Sequence, residues 1–268
     1  MAGGGLLTKR PIKAILVAGG EGSRLLPFTR YTHKTLLPLY RRPVIDYALG
    51  TIRRAGVKDI AIIGNRFIDQ IAEHIGTGLP GETFHYFLEE TPRGVGHALN
   101  LARSHVEGRR LLIYFSDNIT STDLSGEVER WELSEEEPGA FLLGREVEDA
   151  RAFGVGVFND TDELVDIVEK PDVPPSKVAI GGIYLYDKDF WNLLDEEMRD
   201  KGDLFSITDV NRRYIQREKV VLKRLVDDVW LDCGTPENLL AAAHLAKTGV
   251  LSPLPYNIKK DEPNWSET

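Results

Sequence analysis

A glycine-rich segment near the N-terminus is the first part of the chain whose residue types suggest chemistry. Gly19, Gly20 and Gly22 stand within four positions, directly after the aliphatic run KAILVA. Glycines let the backbone turn sharply and bring several N–H groups close to one anion. The segment lacks the Gly-Lys-Ser/Thr of a P-loop and the third glycine of a dinucleotide-binding fingerprint. Taken alone, it is equally consistent with a tight structural turn.

Two cationic residues after the glycines favour a polyphosphate ligand over a plain turn. Arg24 carries rigid, forked donors, and Lys34 carries a mobile point charge. Two cations that flank a backbone anion site suit a ligand with several phosphates. The segment therefore predicts a phosphate-binding loop.

Two aspartates far apart in the sequence are candidate metal ligands. Asp117 follows the apolar run LLIYF, and Asp232 lies in WLDCGTP, just before a segment with helical character. The alternatives are structural: Asp and Asn favour turns, and Thr235 with Pro236 resembles a helix N-cap and first helical residue. Mg²⁺ takes one or two carboxylates and leaves its other positions to phosphates and water. Asp117 and Asp232 fit that number.

A third group of residues is suited to a sugar phosphate. Glu169 and Lys170 are adjacent, and Gly154 and Gly182 would leave room for a pyranose ring. Glu169 can accept hydrogen bonds from sugar hydroxyls, and Lys170 can bind a phosphate. The structural alternative is an ordinary solvated Glu-Lys pair.

Composition restricts the class of function. The chain has 268 residues, is 42% hydrophobic and 28% charged, and carries a net charge of −9. The acidic balance argues against a nucleic-acid-binding face, which needs an extended basic surface.

Cys233 is the only cysteine, which excludes an intrachain disulfide and a cysteine-based zinc cluster. The six histidines show no metal-ligand spacing. With neither a signal peptide nor an apolar run of spanning length, we expect a cytoplasmic protein that does not enter a membrane.

The elements that must position these residues alternate between strands and helices. The patterns predict strands at 13–17, 59–64, 83–88, 111–115, 141–143, 154–158, 164–169 and 181–186, and helices at 43–54, 68–75, 95–106, 188–198, 207–218 and 236–247. This order predicts an α/β fold with a Rossmann-like, mostly parallel sheet flanked by helices and a small β-rich lobe. Ligands of such sheets lie at the carboxyl ends of the strands, where the loops 18–27 and 116–120 fall.

The motifs, taken in order, resemble the sugar-1-phosphate nucleotidylyltransferases, and most closely the glucose-1-phosphate thymidylyltransferases. The matching blocks are VAGGEGSRLLPFT, KTLLPL, SDN, FGV, EKP and WLDCGT, and the resemblance runs from about residue 13 to about residue 246. It implies one domain over 12–250, with a nucleotide-binding half at 12–138, a sugar-phosphate-binding half at 139–250, and tails at 1–11 and 251–268. It also implies Mg²⁺ as cofactor and leaves a homo-oligomer open.

The resemblance implies a role for each matching residue. A nucleoside triphosphate, with dTTP or UTP favoured, would react with a hexose 1-phosphate, with glucose 1-phosphate favoured. The nucleotide-binding residues would be Val17, Gly19, Gly20, Gly22, Ser23, Glu89 and Gly94. The sugar-phosphate-binding residues would be Gly154, Glu169, Lys170 and Gly182. The catalytic residues would be Arg24, Lys34, Asp117 and Lys170, and the metal ligands would be Asp117 and Asp232.

One departure from the family pattern leaves the base open. Glu89 stands where these thymidylyltransferases usually have a glutamine. A carboxylate only accepts hydrogen bonds, so it suits the amino group of cytosine better than the carbonyls of thymine or uracil. A cytidylyltransferase that uses CTP with a sugar phosphate or another phosphorylated alcohol is therefore the alternative. A non-catalytic, nucleotide-sugar-binding regulatory homologue is the alternative from a different class.

Overall fold

The structure, a computed structural model, describes residues 9–253 apart from the side chain of residue 203. Most of both predicted tails lies outside these residues. The strands are β1 (Lys13–Ala18), β2 (Pro38–Leu39), β3 (Arg42–Pro43), β4 (Asp59–Gly64), β5 (Thr83–Leu88), β6 (Leu111–Phe115), β7 (Asn118–Thr120), β8 (Ala140–Glu146), β9 (Gly154–Phe158), β10 (Leu164–Glu169), β11 (Val178–Tyr186), β12 (Val220–Leu225) and β13 (Trp230–Asp232). The α-helices are α1 (Val44–Arg54), α2 (Ile68–Ile75), α3 (Val95–Val106), α4 (Ser125–Leu133), α5 (Phe190–Lys201), α6 (Ile207–Gln216) and α7 (Pro236–Lys247).

A single nine-stranded sheet runs through the molecule. Its main path is β10-β9-β11-β6-β1-β4-β5, with β8 beside β11 and β12 beside β8. The pairs β1–β4, β1–β6 and β4–β5 are parallel, whereas β11 runs antiparallel to β6, β8 and β9. The predicted α/β class is confirmed, with β6, β1, β4 and β5 of the first half of the chain forming one parallel part and β8 and β12 of the second half a further parallel pair. Because β6 pairs with β11, the sheet crosses the predicted boundary at 138/139, and the division into two halves stays a prediction.

Helices cover both faces of the sheet and bury two large hydrophobic clusters. One cluster packs α1, α2 and α4 against one face through residues such as Ile45, Ile71 and Trp131. The other packs α3, α5 and α6 against the opposite face through residues such as Leu99 and Leu194. Burial on both faces explains why β1, β4 and β6 are almost entirely apolar rather than alternating. None of the helices in residues 9–253 is long and apolar enough to span a membrane.

A two-stranded sheet outside the main sheet brings distant parts of the chain together. Strands β7 and β13 pair antiparallel, with Asn118 opposite Asp232 and Thr120 opposite Trp230. The pairing continues beyond the strands, because the N–H of Cys233 donates to the carbonyl of Asp117 at 2.8 Å. The two aspartate-containing motifs are therefore neighbours in space.

The sequence patterns located most elements but missed two longer ones. Strand β11 begins at Val178 rather than Gly181, and α6 ends at Gln216 rather than Glu218. Helix α4 was missed because it contains Gly126 and mostly polar residues, so its apolar periodicity is weak. Strand β12 was missed because VVLKRL does not alternate. It forms by pairing in parallel with β8, a contact between segments about eighty residues apart.

Candidate functional site

The glycine-rich loop begins where β1 ends and is held by side chains from other segments. Gly22 has a φ of 67°, and a Cβ there would lie 2.8 Å from Cγ2 of Thr29. The Thr29 hydroxyl donates to the carbonyl of Gly22 at 2.7 Å, and the Asn65 amide donates to the carbonyl of Gly19 at 3.3 Å. A Cβ at Gly19 would lie 2.4 Å from Oε2 of Glu89. The loop therefore needs glycine at both positions, for conformation at one and for space at the other.

A cleft of about 230 Å³ opens beside this loop, and we call it the first cleft. Its floor contains Phe115 at the end of β6, and its walls come from the loop after β1 and the start of α3. The predicted nucleotide-binding residues that line it are Val17, Gly19, Gly20, Glu89 and Gly94. Lys34 and Asp117 line it as well, whereas Gly22, Ser23 and Arg24 do not.

Asp117 and Lys34 form an ion pair at one end of the first cleft. The Lys34 ammonium donates to Oδ2 of Asp117, and both side chains are largely buried. Burial opposes ionisation, but the charge and the hydrogen bond of Lys34 outweigh it and lower the pKa of Asp117. Asp117 is therefore a carboxylate at neutral pH. His33 helps to place Lys34, because its ring nitrogen caps the short helix at residues 34–36 by accepting from the N–H of Thr35 at 3.2 Å.

Asp232 lies beside Asp117 and responds to its charge. Burial and the neighbouring Asp117 carboxylate raise the pKa of Asp232. The N–H of Gly234 donates to Oδ1 of Asp232 at 2.7 Å, and the guanidinium of Arg24 stands 4.0 Å from Oδ2. Two carboxylates that repel one another across adjoining strands would be stabilised by a shared cation.

A second cleft, of about 190 Å³, lies on the other side of the aspartate pair. Its lining includes Gly154, Glu169 and Gly182, as well as Asp232. Phe115 lines both clefts, so they meet at the end of β6. Gly154, Glu169 and Gly182 are three of the four predicted sugar-phosphate-binding residues, and the fourth is Lys170.

Lys170 stands outside the lining of the second cleft. Its side chain is 65% exposed, and its ammonium lies 3.5 Å from Oε1 of Glu169. Its backbone has a φ of 43°, and its N–H donates to the carbonyl of Phe153 at 2.9 Å. The side chain has room to move toward a ligand, which suits a phosphate contact at the mouth of the cleft. The Glu169 carboxylate itself accepts a hydrogen bond from Thr208 on α6.

The sequence patterns missed Asn118, Trp230 and Thr208 as site residues. The Asn118 carbonyl oxygen accepts from the N–H of Gly182 at 2.9 Å and from the indole N–H of Trp230 at 2.8 Å. Its amide nitrogen donates to Oδ1 of Asp117 at 2.9 Å. Asn118 thus links the aspartate pair to the wall of the second cleft. Its place next to Asp117 in the SDN block was the available signal.

Two histidines and an aspartate that the sequence spacing did not single out lie close together in the structure. Asp59, His85 and His105 place potential ligand atoms within 4.8 Å of one another. They are distant from each other in sequence, so ligand spacing could not reveal them. This group lies near the amino ends of the parallel strands, at the end of the sheet opposite to Asp117 and Asp232.

Comparisons with known proteins agree with this geometry. A family model described as nucleotidyl transferase matches residues 13–248. A glucose-1-phosphate thymidylyltransferase of Xanthomonas campestris pv. campestris is 34% identical over 88% of this chain and 81% of its own length. The low-salt glycan biosynthesis nucleotidyltransferase Agl11 of Haloferax volcanii is 30% identical over 87% of this chain, and the match spans 66% of Agl11.

Solved structures extend the similarity to three dimensions. A Bacillus anthracis protein, provisionally described as a glucose-1-phosphate thymidylyltransferase and crystallised with sucrose, superposes with a TM-score of 0.81 at 33% identity. The match covers 88% of this chain and 95% of that one. A UDP-glucose pyrophosphorylase bound to UDP-glucose has a TM-score of 0.77 at 22% identity, which shows the shared fold.

The fold and the two adjoining clefts define a nucleotidyltransferase of the α/β class. The family match and the relatives place the chain more narrowly: it belongs to the sugar-1-phosphate nucleotidyltransferases. The substrates of that family are a nucleoside triphosphate and a sugar phosphate.

Proposed function

We propose that this protein condenses dTTP or UTP with a hexose 1-phosphate, with glucose 1-phosphate favoured, to give a nucleotide sugar and pyrophosphate. The observation that carries the proposal is the meeting of the two clefts at Asp117 and Asp232, with Phe115 common to both. A triphosphate in the first cleft and a sugar phosphate in the second would meet at this pair. The relatives named as glucose-1-phosphate thymidylyltransferases support the choice of substrates.

The proposed reaction is an in-line displacement at the α-phosphorus. An oxygen of the sugar phosphate forms a new bond to that phosphorus, the α–β phosphoanhydride bond breaks, and pyrophosphate leaves with its electron pair. A phosphate monoester is already an anionic nucleophile, so no general base is needed. Catalysis then rests on bringing two polyanions together and offsetting their charge. Lys34, Arg24 and Lys170 would supply protein cations on three sides of the junction.

The aspartate pair suits Mg²⁺ as the cofactor. Oxygen ligands from one or two carboxylates are what Mg²⁺ takes from a protein when phosphates complete its shell. Burial and repulsion from Asp117 both raise the pKa of Asp232, and a divalent cation would relieve the repulsion. When bound, the ion would supply positive charge to the phosphates. Lys34 already neutralises Asp117 in the same place, so a cation is compatible with this pocket.

Glu89 is the reason for keeping a second candidate function. Its side chain is 5% exposed at the first cleft, and burial raises its pKa. In the protonated form it could donate to a carbonyl of thymine or uracil and accept from N3–H, as a glutamine would. In the ionised form it only accepts, which favours the amino group of cytosine. A cytidylyltransferase acting on a sugar phosphate or another phosphorylated alcohol is therefore the second candidate.

A pyrophosphate-release assay over a panel of substrates tests the proposal. The purified protein with Mg²⁺ should release pyrophosphate fastest with dTTP or UTP and glucose 1-phosphate. A maximum with CTP would support the second candidate. Release with no combination of nucleoside triphosphate and sugar 1-phosphate, while nucleotide sugar still binds, would favour the non-catalytic regulatory homologue and contradict the proposal.

A further inference from the structure

A second polar cluster lies near the amino ends of the parallel strands, whereas the two clefts lie at their carboxyl ends. Lys13 and Asp59 are the first residues of β1 and β4, and His85 is the third residue of β5. His105 is near the end of α3, which begins at the first cleft. Neither the proposed reaction nor the hydrophobic core uses these four side chains.

The two imidazoles turn the same nitrogen toward one carboxylate. Nε2 of His105 lies 2.7 Å from Oδ1 of Asp59, and Nε2 of His85 lies 3.7 Å from the same oxygen. The rings lie over one another at an angle of 38°, with centroids 3.6 Å apart. All three ligand atoms fall within 4.8 Å of one another, so small side-chain rotations would bring them onto one ion.

The ammonium group of Lys13 already lies within this cluster. The Lys13 ammonium lies 3.0 Å from Oδ2 of Asp59 and 2.9 Å from the carbonyl oxygen of His105. For His85 and Asp59, the surroundings also favour the form that binds a metal ion. Burial and the neighbouring His105 lower the pKa of His85, which favours the neutral ring. Hydrogen bonds from His105 and Lys13 outweigh burial and lower the pKa of Asp59.

We propose that Asp59, His85 and His105 form a binding site for a divalent transition-metal ion, which enters by displacing the Lys13 ammonium. Two imidazole nitrogens and one carboxylate oxygen are a ligand set that Zn²⁺ and similar ions prefer over Mg²⁺. Such ions bind histidine nitrogen at about 2.0–2.1 Å. The side chains of His85 and Asp59 are 36% and 35% exposed, so the site is open to solvent and can admit water as a further ligand.

Calorimetric titration of the untagged full chain with Zn²⁺ tests the site. Saturating Mg²⁺ is included so that the aspartate pair of the clefts does not compete. The wild type should show one saturable Zn²⁺ site. His85→Gln and His105→Gln should each weaken it roughly tenfold or more, since removing even a partner of a metal ligand costs about 10–100-fold. Lys13→Met should tighten binding, because it removes the competing cation.

The matched control is His74→Gln. His74 also pairs with an aspartate, Asp46, at 2.7 Å, but no third ligand of this kind joins them in residues 9–253. This variant should bind Zn²⁺ as the wild type does. The visible absorption of bound Co²⁺ gives a second measurement and should change in the His85 and His105 variants only. No saturable binding in the wild type, equal weakening by His74→Gln, or weaker binding after Lys13→Met would each overturn the proposal.

Discussion

The two clefts on either side of Asp117 and Asp232 are assembled in different ways. The first cleft takes its lining from three stretches of chain, residues 17–34, 89–98 and 115–117, and the first of these includes two glycines that offer only backbone. The second cleft takes its lining from widely separated segments, including Gly154, Glu169 and Thr208. Both clefts depend on the tertiary structure, but the glycine-rich loop of the first is a local feature of the sequence, whereas the second has no such contiguous part.

This difference separates two kinds of recognition. A backbone loop with glycines binds phosphates, which every nucleoside triphosphate carries, so it can recognise a class of ligand. Side chains such as Glu169 and Thr208 make directed hydrogen bonds, which can distinguish one sugar from another. Changes at Asp117 and Asp232, where the two clefts meet, should therefore affect both substrates, and changes elsewhere within one cleft should affect only one.

The largest effect is expected at Asp117 and Asp232, the neighbouring aspartates that line one cleft each where the two clefts meet. Asp117→Asn and Asp232→Asn should each lower kcat by about 100-fold or more, because charge stabilisation at the reacting phosphates is lost. Pyrophosphate release at saturating concentrations of both substrates measures this. Asp227→Asn is the control, since that exposed aspartate lies five residues before Asp232. A folded Asp117→Asn protein with wild-type turnover would remove Asp117 from the reacting centre.

A selective effect is expected in the second cleft. Lys170→Ala should raise the KM for the sugar phosphate by about tenfold and leave the KM for the nucleotide nearly unchanged, because one charged hydrogen bond is worth about 1.5–3 kcal/mol. Initial rates with each substrate varied in turn measure this. Lys177→Ala, at an exposed lysine seven residues away, should change neither constant. Equal increases in both KM values would contradict the separation of the two clefts.

A smaller selective effect is expected in the first cleft. Glu89→Gln should raise kcat/KM for dTTP and UTP relative to CTP by up to about tenfold, because the amide can donate to a ring carbonyl and one hydrogen bond contributes about 0.5–1.5 kcal/mol. The KM for the sugar phosphate should not change. Competition between paired nucleotides measures the ratio. An unchanged ratio would show that Glu89 does not contact the base.

The smallest effect concerns stability. Burial raises the pKa of Glu89, so the folded state favours the protonated side chain. The stability of the fold therefore decreases as pH rises through the raised pKa and the buried carboxyl ionises. Glu89→Gln should therefore stabilise the protein at pH 7–8, on the order of 1 kcal/mol. The gain should shrink as pH falls toward the ordinary glutamate pKa of about 4.3. Thermal melting across this range measures it, and a gain that grows on acidification would be the wrong sign.

Prediction from the sequence worked best where the relevant contacts are local. The glycine loop, the alternation of strands and helices and the helix start at Thr235 all follow from neighbouring residues, and the Thr235 side chain does accept from the N–H of Asn238 at 3.2 Å. Helix α4 and strand β12 were missed because their own residues carry weak patterns. The role of each site residue stays a prediction, although the structure places most of them around two adjoining clefts.

By itself, the sequence determined the α/β class, the place of the glycine-rich loop and the family, because these depend on short-range periodicity and on contiguous motifs. The tertiary structure alone decided that Asn118 joins Asp117 to Gly182, that Thr208 reaches Glu169, and that His85 and His105 meet at Asp59. Apart from the contact between the adjacent residues Asp117 and Asn118, each of these contacts joins segments that are separated along the chain. Their proximity comes from the order and register of the strands in the sheet, which no local pattern of residues encodes.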